Sequence, residues 1–158
     1  LDDDDIWSDK EKLDKQILYL DNNPDCILIG TQYSIANNNR VIKDKSESPL
    51  NDKDLRRVML AYNPFCHSSV VFRKNDNKYN ENLNYTEDWD LWLRLGRLGK
   101  LAVLDDVMVQ YFYGEGMSSR NKKKDQIKFH FRIFRKYIMH YPNRLSAIIS
   151  LVKYIILG

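Results

Sequence analysis

Cysteine, proline and glycine are all scarce in this 158-residue chain, with two, four and six residues respectively. Cys26 and Cys66 lie far apart and form no CxxC pair. Nothing here resembles a disulfide framework, and two small buried thiols in a reducing compartment are expected. A zinc site drawn from Cys66, His67 and either His130 or His140 lacks ligand spacing. The shortage of glycine and proline, with no internal repeat, excludes collagen-like and low-complexity chains. Long apolar runs are missing too. The last segment, RLSAIISLVKYIILG, carries Lys153 in its middle and falls short of the roughly 20 residues that span a bilayer. The opening has neither the basic nor the apolar stretch of a signal peptide. It starts at Leu1 and runs straight into Asp2-Asp3-Asp4-Asp5, which reads as the end of a strand whose earlier residues are missing, and so as a fragment.

Hydrophobic residues make up 43% and charged residues 30% of the chain, a composition that builds one folded domain with a sizeable core. Acidic residues are distributed unevenly. Residues 1–119 carry 15 Lys and Arg against 21 Asp and Glu, whereas residues 120–158 carry 10 against one. An acidic body with a basic tail suggests that the tail meets an anionic membrane surface or nucleic acid. A basic amphipathic helix packed on its own domain has the same pattern.

Ser8-Asp9-Lys10-Glu11 matches a capping box, and Leu13, Ile17 and Leu20 follow at i, i+4, i+7, which predicts a helix from Asp9 to the Asn22-Asn23-Pro24 stop. An apolar run predicts a buried strand over 26–35, with Val41-Ile42 as a short partner. A helix is predicted from Asp52 to Ala61, and Ser69 to Phe72 reads as a second core strand. The Asn-rich stretch 74–85 reads as surface loop, followed by a helix from Glu87 to Leu98. Leu101–Leu104 and Val107–Phe112 read as two strands divided by Asp105-Asp106. Beyond the loop 114–121, Ile127, Phe131, Phe134, Ile138 and Tyr141 repeat at helical spacing, and a last apolar helix follows Pro142. Alternating strands and helices define an α/β class with a mixed sheet, flanking helices and a helical tail.

Three motifs can carry chemistry. Asp2 to Asp5 offer the hard oxygen ligands that Mg²⁺ and Mn²⁺ prefer when they also hold a diphosphate, although an acidic run is also the ordinary content of a solvated terminus. EDWDLWLRL, residues 87–95, places Glu87, Asp88 and Asp90 in a first helical turn behind a Thr86 cap, where the helix dipole favours anions. Helix capping with Trp89, Trp92 and Leu93 as core explains the same pattern. GEGMSS, residues 114–119, lacks the ending of a phosphate-binding loop.

Taken in order, these pieces resemble the family 2 glycosyltransferases of bacteria, which have the GT-A fold. LDDDDIW looks like that family's LDxDDxW segment, Lys12 and Gln16 fit its K-x-x-x-Q pattern, and HSSVVFRK (67–74) is similar to its strand before the acceptor loop. EDWDLWLRL is the most specific match, and LAVLDDVMVQYFYG with Ser118-Ser119 completes the order. The resemblance implies an inverting, hexosyltransferase-type enzyme that moves a sugar from a nucleotide-sugar donor to a glycan, polymer or lipid-linked acceptor. By it, Asp88 is the catalytic base and Asp4 binds the divalent cation (Mg²⁺ or Mn²⁺). Asp2, Glu87, Trp89 and Ser118 touch substrate.

Residues 1–119 would form the metal and acceptor half of the catalytic domain. Residues 120–158 would be a basic tail that lets a cytoplasmic enzyme rest on the inner face of the plasma membrane, with residues 121–158 meeting anionic lipid and no nucleic acid expected. Two departures stand out. Tyr111 and Tyr113 occupy positions where many relatives carry Arg and His, and the N-terminal half that holds the base is absent, so the chain alone would be inactive. A D-x-D phosphotransferase, or a membrane- or nucleic-acid-binding module, are the competing readings.

Overall fold

The computed structural model describes residues 2–37, 40–83, 86–113 and 123–157. The elements run β1 (Ile6–Trp7), α1 (Lys12–Asn22), β2 (Cys26–Asn37), β3 (Arg40–Lys43), α2 (Asp52–Val58), β4 (Val71–Phe72), α3 (Glu87–Leu95), β5 (Lys100–Phe112), α4 (Lys123–Tyr137) and α5 (Arg144–Leu157). A single 3-10 turn at His67–Ser69 precedes β4. The architecture is α/β, with a mixed sheet, flanking helices and a helical C-terminal region.

β2 and β5 are the centre of the sheet and pair in parallel over most of their length. β1 adds antiparallel to the far end of β5, through Ile6 opposite Gln110 and Trp7 opposite Val109. On its other edge β2 takes β3 and β4, both antiparallel. The order is therefore β1-β5-β2-β3, with β4 beside β2. β2 is apolar because both its faces are covered: Leu28 and Ile29 are fully buried and belong to two separate core clusters. The larger cluster takes α3 (Trp89, Leu91, Trp92, Leu93, Leu95), α2 (Leu55) and α4 (Phe129, Ile133, Tyr137).

Several expectations need correction. β5 is one strand. Thr31 pairs with Leu104 and the next residue, Gln32, pairs with Val107, so Asp105 and Asp106 bulge out to solvent without breaking the ladder. The first helix begins at Lys12, not Asp9. No side chain caps its end; Asp9 instead accepts the Glu11 N–H at 2.8 Å as a local turn. Its buried side is also different: Leu13 and Ile17 face out, while Lys12, Gln16 and Leu20 face in. Ser69 belongs to the 3-10 turn, leaving a two-residue β4. α2 stops at Val58 and α3 at Leu95, each earlier than expected, whereas β2 runs two residues past Ile35. β1 was not foreseen as a strand.

Candidate active site

Parallel strands leave unpaired polar groups at their carboxyl ends, and that is where α/β folds gather ligands. The acidic loop sits at this end of β5. Asp5 is buried and its Oδ1 accepts the Phe112 N–H at 3.1 Å, while the Cys66 thiol reaches Oδ2 at 3.9 Å. Burial pushes the Asp5 carboxyl up, against hydrogen bonds from Ser68 and Phe112. Asp5 thus anchors the loop, and the exposed Asp3 and Asp4 are left on its outer side.

The 66–69 segment is tied to the loop from both sides. The Asp2 N–H donates to Ser68 Oγ at 2.9 Å and the Trp7 indole to the Ser68 carbonyl at 3.0 Å. Beneath them, Gln16 donates to the carbonyls of Ile29 and Ser69 at 3.0 and 2.9 Å and accepts from Lys12 Nζ at 2.8 Å. Lys12 also lies 4.3 Å from the Trp7 ring centre, where a cation is attracted to the π face.

This arrangement places His67 in the middle. Its Nδ1 lies 3.0 Å from Asp2 Oδ1 and its Nε2 lies 2.9 Å from the Tyr79 hydroxyl. Burial pushes the Tyr79 phenol up, and the negative charges of Asp88, Asp2 and Glu87 push it further. Three carboxylates from two distant segments therefore act on one hydroxyl.

Asp88 and Glu87 are half-buried in the first turn of α3. The short connection 96–99 brings the end of α3 to the start of β5, which sends the helix start back toward the acidic loop. Asp88 Oδ2 accepts from Asn63 at 2.8 Å and Oδ1 from the Trp89 N–H at 2.6 Å. Burial pushes the Asp88 carboxyl above the usual range, and the Trp89 N–H, the His67 charge and Asn63 only partly oppose it. The dipole at the helix start is therefore not the dominant influence on this group. Thr86 occupies the cap position but its hydroxyl makes no cap bond. Its Oγ1 and Glu87 Oε2 are buried without a hydrogen-bond partner among the described residues.

The structure brings Asp2, Glu87 and Asp88 together around Tyr79 and His67. Asp4 stands exposed on the same loop, Trp89 does not face the cluster, and Ser118 lies outside the described residues. Trp89 is 3% exposed and gives its indole N–H to the Met59 carbonyl at 2.7 Å, so its ring belongs to the core. Asp90 is fully buried and points to α4, accepting from Arg94 (2.9 Å), Lys136 (2.7 Å) and Tyr137 (2.8 Å). His67, Tyr79 and Asn63 carry no sequence signal of their own, since only the fold makes them neighbours. Among the described residues, no three His, Cys, Asp or Glu side chains form a metal cage. A cation held by one or two carboxylates plus the phosphates of a substrate needs no such cage, and an exposed Asp4 fits that mode.

Lys12 gives a testable pH effect. Burial pushes its amine down to about 8 from 10.5. The folded state therefore resists its charge: the cost is fully present below pH 8, and stability returns as pH rises toward the unfolded value. Compared with Lys12→Met, the wild type should gain about 2–3 kcal/mol of unfolding free energy between pH 8 and 10.5. Denaturant unfolding of both proteins measures the difference, in which the tyrosines and cysteines cancel. Parallel curves would mean that the amine is hydrated.

No family model matches the chain. It is similar to several proteins named as glycosyltransferases. It is 32% identical over 131 residues to the amylovoran biosynthesis glycosyltransferase AmsE of Erwinia amylovora, a match covering 79% of this chain and 48% of that one. An uncharacterized glycosyltransferase of Haemophilus influenzae is 28% identical over 133 residues, covering 81% and 39%. One from Methanocaldococcus jannaschii is 27% identical over 116 residues, covering 70% and 40%. The chain thus spans about half the length of the curated relatives it matches, or less.

Proposed function

We propose that the chain is the metal- and acceptor-binding part of an inverting glycosyltransferase of family 2 with the GT-A fold, using a nucleotide-sugar donor. The observation that carries this reading is the His67-centred cluster, in which an acidic loop and a helix-start carboxylate, more than 80 positions apart, act on one place. In an inverting transfer the acceptor oxygen forms a bond to the anomeric carbon as that carbon's bond to the diphosphate oxygen breaks. The acceptor proton goes to a base and the charge to the leaving diphosphate. Asp88 is the base. Its raised carboxyl is better matched to a proton at neutral pH than an ordinary aspartate would be.

Asp4 holds the divalent cation, which when bound supplies Lewis-acid stabilisation of the diphosphate. Asp2, fixed by His67 and Ser68, positions the nucleotide, and Glu87 Oε2, without a partner among the described residues, receives an acceptor hydroxyl. The donor's nucleobase would bind to residues outside 1–158, since the chain spans only 48% of a relative's length. One relative is named for amylovoran biosynthesis, and we carry over a biosynthetic transfer to a growing glycan, polymer or lipid-linked acceptor.

The test uses the protein at the full length of its reading frame, a panel of sugar nucleotides and Mg²⁺ or Mn²⁺. One donor should release its nucleoside diphosphate in an acceptor-dependent reaction that chelation stops. Asp4→Asn should lose roughly 10²-fold or more in turnover along with metal-dependent donor binding. Turnover of no sugar nucleotide, or turnover indifferent to chelator and to Asp4→Asn, would remove this reading.

A further inference from the structure

Between Leu145 and Val152, α5 leaves large apolar residues exposed and turns Ala147, Ser150 and the half-buried Leu151 to the body. A surface helix ordinarily buries its large apolar residues and turns small or polar ones to water. Here Ala147 and Ser150 face the body, with Ala147 buried in the core and Ser150 Oγ donating to the Ala61 carbonyl at 3.0 Å. Leu145, Ile148, Ile149 and Val152, at i, i+3, i+4 and i+7, point outward and are 43–71% exposed. Four large aliphatic side chains therefore form one uncovered stripe, larger than scattered exposure on a surface explains.

The C-terminal segment that carries the stripe has one sign of charge. Lys128, Arg132 and Arg135 are exposed on α4, and Arg144 and Lys153 on α5. No Asp or Glu occurs anywhere from Gln126 to the end of the sequence. The apolar stripe expected along this region, Ile127, Phe131, Phe134, Ile138 and Tyr141, is out of phase with the buried side: Phe131 is exposed and Phe134 and Ile138 are only partly buried, whereas Phe129, Ile133 and Tyr137 join Tyr141 in the core. No helix among the described residues is long and apolar enough to cross a membrane; α5, with 14 residues, would reach only about 21 Å.

From this geometry we infer that α5 lies flat in the interface of an anionic lipid bilayer, its Leu145–Val152 stripe in the acyl boundary and the flanking Arg144 and Lys153 at the headgroups. A helix with an apolar stripe and a cationic border, too short to span, has the physical form of an interfacial anchor, and a negative bilayer surface matches its charge. The inference uses a different surface from the proposed active site and stands or falls apart from it.

Sedimentation of the chain with vesicles tests it. Vesicles of phosphatidylcholine with phosphatidylglycerol should carry the protein down, those of phosphatidylcholine alone should not, and high salt should weaken recovery. The double variant Leu145→Ser, Ile149→Ser changes exposed residues and should keep the wild-type thermal midpoint. Its partition into anionic vesicles should fall by roughly tenfold or more. Arg144→Glu with Lys153→Glu should abolish the preference for anionic lipid.

Three results would overturn the inference. The first is equal recovery with neutral and anionic vesicles, or no effect of the apolar pair. The second is a self-associating chain, seen by sedimentation velocity, that the apolar pair makes monomeric while vesicles stay empty, because the stripe then belongs to a second copy. The third is binding to an oligonucleotide but not to vesicles, which would give the cations to nucleic acid.

Discussion

Replacing Asp88 with Asn is expected to lower turnover of the full-length protein by roughly 10²–10⁴-fold while leaving donor binding nearly intact. The amide keeps the shape, and its oxygen can still accept from the Trp89 N–H, but its NH₂ group then meets the Asn63 amide that donated to the other carboxylate oxygen, so that one bond is lost or must be re-made by a turn of Asn63. What disappears is the capacity to take a proton. Because burial holds this carboxyl above the ordinary range, the acid limb of the wild-type pH profile should lie above pH ~4, with turnover lost as pH falls through it. Steady-state kinetics against pH, together with donor affinity by calorimetry, separate the two effects. Normal turnover in the variant would transfer the role to Glu87, whose buried Oε2 lacks a partner among the described residues.

Two positions further along the same helix, the expected consequence is the reverse. Asp90→Ala should leave the chemistry alone and cost about 3 kcal/mol of stability, the loss expected when one member of a buried ionic network is removed. Asp90 is fully buried and receives hydrogen bonds from Arg94, Lys136 and Tyr137, which join α3 to α4. Lys136 is half exposed and can turn to water, but the buried Tyr137 hydroxyl cannot. That asymmetry keeps the cost near the lower end of the usual range.

Burial alone would raise the Asp90 carboxyl, yet the bonds from Lys136, Tyr137 and Arg94 outweigh it and hold it below the usual range. A depressed carboxylate contributes its stability above the unfolded value and loses it as pH falls through the folded one. Wild type and Asp90→Ala should therefore converge in acid. Thermal unfolding at neutral pH should show a drop of roughly 6–12 °C; an unchanged midpoint would mean that α4 is held by its apolar contacts alone.

These two aspartates mark how far the sequence could be read. Both sit in one motif, and the pattern alone identified a helix start with acids in it, although the expected Thr86 cap bond is not made. Which acid faces the site and which faces α4 depends on helical phase against the sheet, and that is a tertiary fact. The strands near 26–35 and 107–112 were legible because doubly covered strands are long apolar runs. Asp105-Asp106 misled because two adjacent carboxylates look like a turn, whereas both are exposed on a bulge and Lys45 pairs with Asp105.

α1 misled for a different reason. Its apolar spacing named Leu13 and Ile17 as inward, but Gln16 satisfies two buried carbonyls, and an unsatisfied buried carbonyl costs more than an exposed side chain. The sequence offered His67 only as part of a strand motif and of a zinc site without ligand spacing. Nothing local reveals that its ring would lie between residues 65 positions before it and 12 positions after it.

The parallel pairing of β2 with β5 also sets an order of events. Partners in that ladder lie 73–76 positions apart, while β2 and β3 are neighbours in the chain. Loop-closure entropy makes local pairings form early and distant ones late. A β2–β3 hairpin can therefore form while most of the chain is still unorganised, but the central ladder must wait until the intervening segments have condensed. The bond from Phe112 to Asp5 spans 107 positions and closes later still. The acidic loop thus gains its fixed place only after the middle of the chain has collapsed, and partly folded forms would lack the cluster that the proposed transfer uses.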